Sequence, residues 1–427
     1  MGAEQARTAA LSLVAGAVIE GVSFADQIAA GQLTGLPAQE RARAQRLALS
    51  TLRNIGRADA VLKPHMRRAP PADIQVLLQM ATVEMLVEGS APHGVVNAAV
   101  AIARSGGKRT ESFAGLVNAV LRKVAETTPE AFAALPVPAL PGWLRGRLMS
   151  AWGKQMTMKM EVAHLAGAPL DLTPKSGDAA ALAEALGGTV LPTGSVRLAA
   201  RGQVSDLPGY AAGDWWVQDA GAALAARALA PAPGARVLDI CAAPGGKTMQ
   251  LAAMGADVTA LDISGPRMAR LSENLARTGL KARCLTDDAL HWEPEAPFDA
   301  VLLDAPCSAT GTVRRHPDLP YSRDPSTIKH LFALQADLLD RALSWLAPEG
   351  RLVFCTCSLL PEEGEAQITA ALARHPDLEV DRAAVTLPGV NPDWISAEGG
   401  LRLRPDYWPE LGGMDGFYIA ALRRRGA

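Results

Sequence analysis

The sequence predicts an all-helical N-terminal region, joined through a small α/β segment to a doubly wound α/β domain with a mainly parallel sheet. Three observations lead there. Apolar residues recur at helical spacing through the first 128 residues. Strand-like and helix-like stretches alternate from about residue 219. The glycine-bearing and cysteine-bearing motifs fall where that alternation puts strand ends.

The chain has 427 residues, a length suited to two or three domains. With 49% hydrophobic and 20% charged residues it has an ordinary globular composition. The formal net charge of −2 excludes a whole-chain basic signal, so a nucleic-acid surface must be local. The five cysteines, Cys241, Cys284, Cys307, Cys355 and Cys357, are odd in number and include no CxxC pair. Neither a disulfide framework nor the common zinc spacing is present, and nothing demands a metal. The apolar run Ala9–Ile19 is too short to span a bilayer and reads as a core helix of a cytoplasmic protein.

In the first region, Leu116, Val117, Val120, Leu121 and Val124 define one helix face, and Ala44, Leu47, Ala48, Leu52 and Ile55 another. Ile74–Val87 is apolar almost all round, as a central buried helix would be. Breaks are predicted at Gly35–Pro37, Ala69–Pro71, Gly89–Pro92 and Ser105–Gly107. Residues 1–126 hold 14 Lys and Arg against 10 Asp and Glu. Arg41, Arg43, Arg46, Arg53, Arg57, Lys63, Arg67 and Arg68 crowd one stretch, either as a solvated helix face or as a phosphate-contacting surface. Pro129 to Pro141 reads as a linker. Residues 142–218 read as a small α/β insert opening with a helix, Trp143–Ala166. Together 129–218 form a linking segment before a third part, 219–427.

In that third part, strands are predicted at Arg236–Ile240, Val258–Asp262, Ala282–Leu285, Ala300–Asp304 and Leu352–Cys355. Helices are predicted at Gly246–Met254, Pro266–Thr278, Thr327–Leu346 and Glu363–Arg374. Ligands of such sheets bind beyond the carboxyl ends of the strands. The first strand runs into Cys241-Ala242-Ala243-Pro244-Gly245-Gly246-Lys247-Thr248, where two glycines let a ligand approach backbone at a helix start. Asp262 ends the second strand, 23 residues after Asp239, and suits two ribose hydroxyls. A phosphate-binding P-loop would need glycine where Cys241 stands, and GxGxxG is absent. A nucleoside without phosphates, such as S-adenosylmethionine, fits better than either. Alternatively, the glycines only shape a tight turn, and Lys247 is a solvated lysine.

The fourth strand runs into Asp304-Ala305-Pro306-Cys307-Ser308-Ala309-Thr310-Gly311, and the fifth into Cys355-Thr356-Cys357-Ser358. Two thiols and a carboxylate can therefore converge at one sheet edge. Taken alone, each cysteine reads as a small buried hydrophobe, a reading kept for Cys284 and Cys355, and Asp304 as a strand-end cap. After the Gly311 turn, Thr312-Val313-Arg314-Arg315-His316-Pro317-Asp318 reads as an RNA-contacting loop or an ordinary exposed one. Tyr321, Arg323 and Lys329 extend its character, and His316 serves packing or RNA contact.

These motifs, in this order and spacing over residues 200–425, resemble the Sun (RsmB-type) family of bacterial 16S ribosomal RNA cytosine-5 methyltransferases. The first 128 residues resemble that family's NusB-like RNA-binding domain, most clearly at Gly115-Leu116-Val117-Asn118-Ala119-Val120-Leu121-Arg122. The resemblance implies a Rossmann-like class I methyltransferase domain, S-adenosylmethionine as cofactor and 16S rRNA as substrate, with the domain order favouring ribosomal over transfer RNA. It implies Cys357 as nucleophile, Cys307 in product release and Asp304 at the base. The cofactor loop maps to Cys241, Ala242, Ala243, Pro244, Gly245, Gly246 and Lys247, the ribose contact to Asp262, and the adenine contact to Asp288 or its neighbour Asp287. Asp304 also borders the cofactor. Asp171-Leu172-Thr173-Pro174-Lys175-Ser176 departs from the family's Arg-Val-Asn-like strand and leaves RNA contacts there open.

The chemistry accounts for the residue types. Carbon 5 of cytosine is a poor nucleophile until a thiolate adds to carbon 6 and makes the ring an enamine. A carboxyl group at N3 can donate a proton or a hydrogen bond. The target base must be unpaired or flipped for its ring face to be reached. A non-catalytic RNA-binding assembly factor and a methyltransferase acting on protein or small molecules are the rivals; the paired cysteines count against both. A monomer is expected.

Overall fold

The computed structural model describes residues 2–199 and 203–425. It divides into two compact units. One holds the chain up to Ala166 together with Val313–Pro325; the other holds Gly167–Thr312 and the chain from Ser326 onward. The segment 129–218, read from sequence as one linking part, is thus shared between the units at 166/167.

The first unit is helical throughout: α1 (Gly2–Val18), α2 (Phe24–Ala29), α3 (Ala38–Leu62), α4 (Ala72–Leu86), α5 (Pro92–Ser105), α6 (Lys108–Glu111), α7 (Ala114–Val124), α8 (Pro129–Ala133) and α9 (Gly142–Ala166). The breaks fall at the Gly and Pro clusters because proline cannot continue a ladder and glycine supplies left-handed turns. α4 is the central helix, with Ile74 and Val76–Leu86 buried. Its one buried charge, Glu84, is bound by Arg7 at 2.8 Å and Arg43 at 3.3 Å, so no charge is left alone in the core. The predicted linker begins instead with a helical turn, α8. Thr128 caps it by accepting from the Ala131 N–H at 3.2 Å, and Phe132 buries. α9 is two segments meeting at Gly153, whose φ of 78° no other residue adopts cheaply.

Half of the basic cluster is structural rather than free. Besides Arg43, Arg46 pairs with Glu88, Arg53 donates to the Arg314 carbonyl at 2.9 Å, and Arg57 donates to the Leu135 and Pro136 carbonyls. Arg41, Lys63, Arg67 and Arg68 are exposed.

In the second unit, β1 (Leu170–Pro174), α10 (Ala179–Leu186), β2 (Thr189–Val190), β3 (Val196–Leu198) and β4 (Trp215–Val217) form a small antiparallel sheet in the order β2-β3-β1-β4. The departing segment Asp171–Ser176 finds its explanation here. Asp171 is buried opposite Arg197 in the β1–β3 register and accepts from Arg197 Nε and Nη2, each at 2.7 Å.

Then follow α11 (Ala223–Leu229), β5 (Arg236–Ile240), α12 (Gly246–Ala253), β6 (Asp257–Asp262), α13 (Gly265–Thr278), β7 (Arg283–Thr286) and β8 (Phe298–Asp304). After α14 (Leu319–Ser322), which packs in the first unit, come α15 (Ile328–Ser344), β9 (Leu346–Thr356), α16 (Glu365–Arg374), β10 (Leu378–Val380), α17 (Arg382–Val385), β11 (Leu401–Leu403) and β12 (Phe417–Arg424). The large sheet has the order β10-β12-β9-β8-β5-β6-β7, with β11 on β12. β9 through β7 are parallel, and β10, β11 and β12 are antiparallel additions beyond the predicted alternation. Leu238, Val301, Leu303 and Phe354 pack on one face with α15 and α16. Val237, Leu302 and Val353 pack on the other with α11 and α12. Burial on both faces makes the strands uniformly apolar. Among the described residues no helix is long and apolar enough to cross a membrane.

Candidate active site

β5 has β6 on one side and β8 on the other, so its carboxyl end is the switch point where an open sheet leaves a crevice. The loop after β5 is shaped by backbone needs. Cys241 has φ 61° and Gly245 φ 103°. A Cβ on Gly245 would lie 2.8 Å from Leu271 Cγ on α13, so only glycine lets the loop close against that helix. Asp262, 2% exposed, accepts from the Ala243 N–H at 3.1 Å and the Ser264 N–H at 2.9 Å, and Arg267 stands 3.3 Å away. Its carboxylate is thereby aimed, with Oδ2 facing Ala243 and Arg267 and Oδ1 taking only the Ser264 N–H among these groups. Beside it Ile263 is 69% exposed, a bare apolar surface next to hydroxyl acceptors. This constellation fits a nucleoside-bearing donor such as S-adenosylmethionine. Asp288 accepts from the Leu290 N–H and His291 Nδ1, both at 2.9 Å, which hold its carboxyl below the usual range; the carboxylate of Asp287 accepts from the Asp288 N–H.

Lys247 is not a solvated lysine. It is buried at the start of α12, and its Nζ donates to Asp304 Oδ2 at 2.7 Å while lying 5.4 Å from the Phe417 ring centroid. Burial alone would lower its pKa, but the Asp304 carboxylate outweighs that and holds the ammonium above the ordinary lysine range. Asp239, beneath it, is fully buried and pushed up to about 7 by desolvation, offset in part by the Thr248 hydroxyl. Asp304 therefore ends β8 tied to a cation on one oxygen. Its other oxygen accepts from Cys355 Sγ at 3.4 Å.

The sulfurs of Cys307 and Cys357 lie 3.4 Å apart. The hydrogen bond to Cys357 and burial, with the charges of Cys357 and Glu363 beside it, push the Cys307 thiol well above the usual cysteine range. Burial, with Asp304 near, does the same to Cys241 and Cys355. Cys284 packs beside α13 in a small apolar cluster. The loop from Asp304 is pinned at its far end, where the Gly311 N–H donates to the Cys357 carbonyl at 2.9 Å and the Gly416 N–H to the Gly311 carbonyl at 2.8 Å. A Cβ on Gly311 would sit 2.0 Å from the Gly416 oxygen, so a side chain there would push the segments apart.

Sequence reasoning missed a buried carboxylate, Glu363. Its Oε1 accepts from the Ser308 N–H at 2.8 Å and Gln335 Nε2 at 3.1 Å. Its Oε2 accepts from the Ser308 hydroxyl and, at 2.5 Å, from the Ser358 hydroxyl. The repeated Cys-Ser pair, Cys307-Ser308 and Cys357-Ser358, was the available signal. Arg402, also missed, is buried and donates to the Ser358 carbonyl while pairing with Glu365 at 2.6 Å.

The loop after Gly311, read from sequence as RNA-contacting or simply exposed, is neither at Arg314, while Arg315 is half-buried and His316 exposed. Arg314 is fully buried, Val313 and Pro317 are buried, and Tyr321 packs against the helical core, its phenol pushed up to about 12 by burial. Arg323 and Lys329 are exposed. Among the described residues no group of three or more His, Cys, Asp or Glu side chains could hold a metal ion.

Residues 226–423 match the family described as 16S rRNA methyltransferase RsmB/F, and residues 4–126 match the NusB family. The chain is 37% identical to the ribosomal RNA small subunit methyltransferase B of Xanthomonas campestris, over 97% of this chain and 96% of that one. It is 36% identical to the Cronobacter sakazakii protein of the same name, over 91% of each. Among solved structures, PH0851 covers 99% of both chains with a TM-score of 0.73 at 22% identity. A methyltransferase homologue from Pyrococcus horikoshii covers 67% of this chain and 100% of its own, with a TM-score of 0.54 at 27% identity. With its NusB domain, its Rossmann-like sheet and identity sustained over nearly the whole length, the chain belongs to the RsmB/F family of 16S rRNA methyltransferases.

Proposed function

We propose that this S-adenosylmethionine-dependent RNA methyltransferase modifies carbon 5 of a cytosine in 16S rRNA through a covalent Cys357 adduct at carbon 6. The observation that carries the reading is the pair of sulfurs 3.4 Å apart at the strand edge that also presents Asp304.

S-Adenosylmethionine, when bound, supplies an electrophilic methyl group. Cys241, Ala242, Ala243, Pro244, Gly245, Gly246 and Lys247 would cradle it, with Asp262 at the ribose hydroxyls, Asp288 or Asp287 at the adenine and Asp304 at its border. Cys357 adds to carbon 6 as a thiolate, and the carboxyl group of Asp304, positioned by Lys247 and acting in its protonated form, donates at N3 as electron density arrives there. Cys307, held as a thiol, donates to the Cys357 sulfur and stabilises it as the leaving thiolate. The carbon-5 proton passes to solvent as the ring double bond re-forms. The exposed Arg41, Lys63, Arg67 and Arg68 would contact RNA phosphates from the helical part, residues 1–128. The reaction belongs in the cytoplasm and to a monomer.

The test is to incubate Cys357→Ala and Cys307→Ala proteins with 16S rRNA and labelled donor, then resolve them on denaturing gels. Cys357→Ala should bind the donor yet give neither methylation nor adduct, and Cys307→Ala should accumulate a covalent protein–RNA band. Normal turnover by Cys307→Ala without such a band sinks the release role. Bisulfite sequencing of 16S rRNA from cells with and without the protein would locate the base.

A further inference from the structure

The two proposed catalytic sulfurs sit on separate loops, one after β8 and one after β9, and no covalent link sets the gap between them. The residue directly after each cysteine is a serine, and both serines end on the same buried carboxylate. Glu363 is fully buried. It takes the Ser308 N–H and hydroxyl from the first loop, and the Ser358 hydroxyl at 2.5 Å from the second. Gln335 on α15 holds Oε1 from a third direction at 3.1 Å and also donates to the Pro306 carbonyl at 2.8 Å. The Glu363 carbonyl accepts the Thr356 hydroxyl at 2.8 Å, on the strand leading to Cys357. Thr310 closes the set: its hydroxyl accepts from the Leu359 N–H at 2.9 Å and lies 3.2 Å from the Ser358 hydroxyl.

We propose that Glu363 is a positioning residue that clamps the Cys307 and Cys357 loops together and so sets the sulfur–sulfur distance. The proposal rests on the covalent reading given above. An ionised carboxylate accepts only, and every contact on Glu363 comes from a donor. Charge-assisted hydrogen bonds of this kind are the strong ones, and inside a closed network they hold geometry more tightly than a neutral amide would. An amide at this position would face a donor with a donor on one side. Release of the adduct needs Cys307 within hydrogen-bond reach of Cys357, and a drift of about 1 Å in such a geometry costs on the order of a hundredfold in rate.

The experiment compares Glu363→Gln and Ser358→Ala proteins with wild type and Cys307→Ala, measuring turnover on 16S rRNA, donor affinity and the adduct fraction on denaturing gels. Expected for Glu363→Gln is a fall in kcat of about ten- to a hundredfold, with donor affinity and KM for RNA within about twofold, and an adduct band that rises as turnover falls. Ser358→Ala, which removes one donor and leaves the carboxylate, should move the same way by a smaller factor. A residue that only supports folding would lower adduct and turnover together, so a joint fall overturns the proposal. Wild-type kcat in Glu363→Gln overturns it as well. If Cys307→Ala itself gives no adduct, the covalent release reading falls and this proposal with it. If Cys307→Ala gives adduct and Glu363→Gln does not, the clamp alone is refuted.

Discussion

Acidification should loosen the first unit around His164, and replacing that histidine should abolish the effect. His164 lies near the end of α9, fully buried, and neither ring nitrogen has a hydrogen-bond partner among the described residues. It borders a cavity of about 40 Å³ lined by Leu52, Arg53, Leu165, Val313 and Tyr321, among others. Desolvation, and after it the positive charge of Arg314, pushes the imidazole from 6.5 down to about 3. The folded value lies below the unfolded one, so the unfolded chain takes up the proton first. Stability is whole above pH 6.5 and is lost progressively as pH falls toward 3. The full gap corresponds to roughly 5 kcal/mol, and at about pH 4.5 some 3 kcal/mol of it is gone. Hydrogen exchange of α9 peptides reads the local opening free energy, once corrected for the intrinsic pH dependence of amide exchange. Wild-type protection should fall between about pH 6.5 and 4.5, while His164→Leu, which keeps apolar volume and removes the titration, should show a flatter profile. Parallel profiles for the two proteins would refute the reasoning, because the loss would then belong to other groups.

Two further outcomes test the donor loop. Lys247→Met leaves the Asp304 carboxylate without its cation and should cost about 3 kcal/mol in chemical denaturation together with most methyl transfer; adding Asp304→Asn should restore stability but not activity. Gly245→Ala forces a side chain into φ 103° and against Leu271, so it should lose about 1–3 kcal/mol in thermal denaturation and weaken donor binding in calorimetry; unchanged affinity would show that the loop tolerates a Cβ.

Much of the chain was legible because the signals were local. α3 and α7 follow from apolar spacing, α4 from a stretch apolar on almost every side, and the parallel strands from short apolar runs between helices. The donor loop could be found because a close approach of backbone demands glycine at Gly245, and Asp262 because its place is one strand further on. The antiparallel end of the sheet was less legible. Phe417–Leu422 is a short apolar run without helical neighbours, and such a run is ambiguous between strand and buried helix until β9 is seen beside it.

What the sequence by itself determined was the order of elements, the nucleoside-suited loop and the convergence of Asp304, Cys307 and Cys357 at one strand edge. Only the tertiary structure decided the fate of the charged residues. Arg314 looked like a phosphate contact and is buried, Lys247 read as either a cofactor contact or a solvated lysine and is paired 57 residues away, and Glu363 looked like a helix start and holds a loop 55 residues distant. The reason is physical: a charge is buried only where partners arrive to replace its water, and those partners come from remote segments that no local pattern announces.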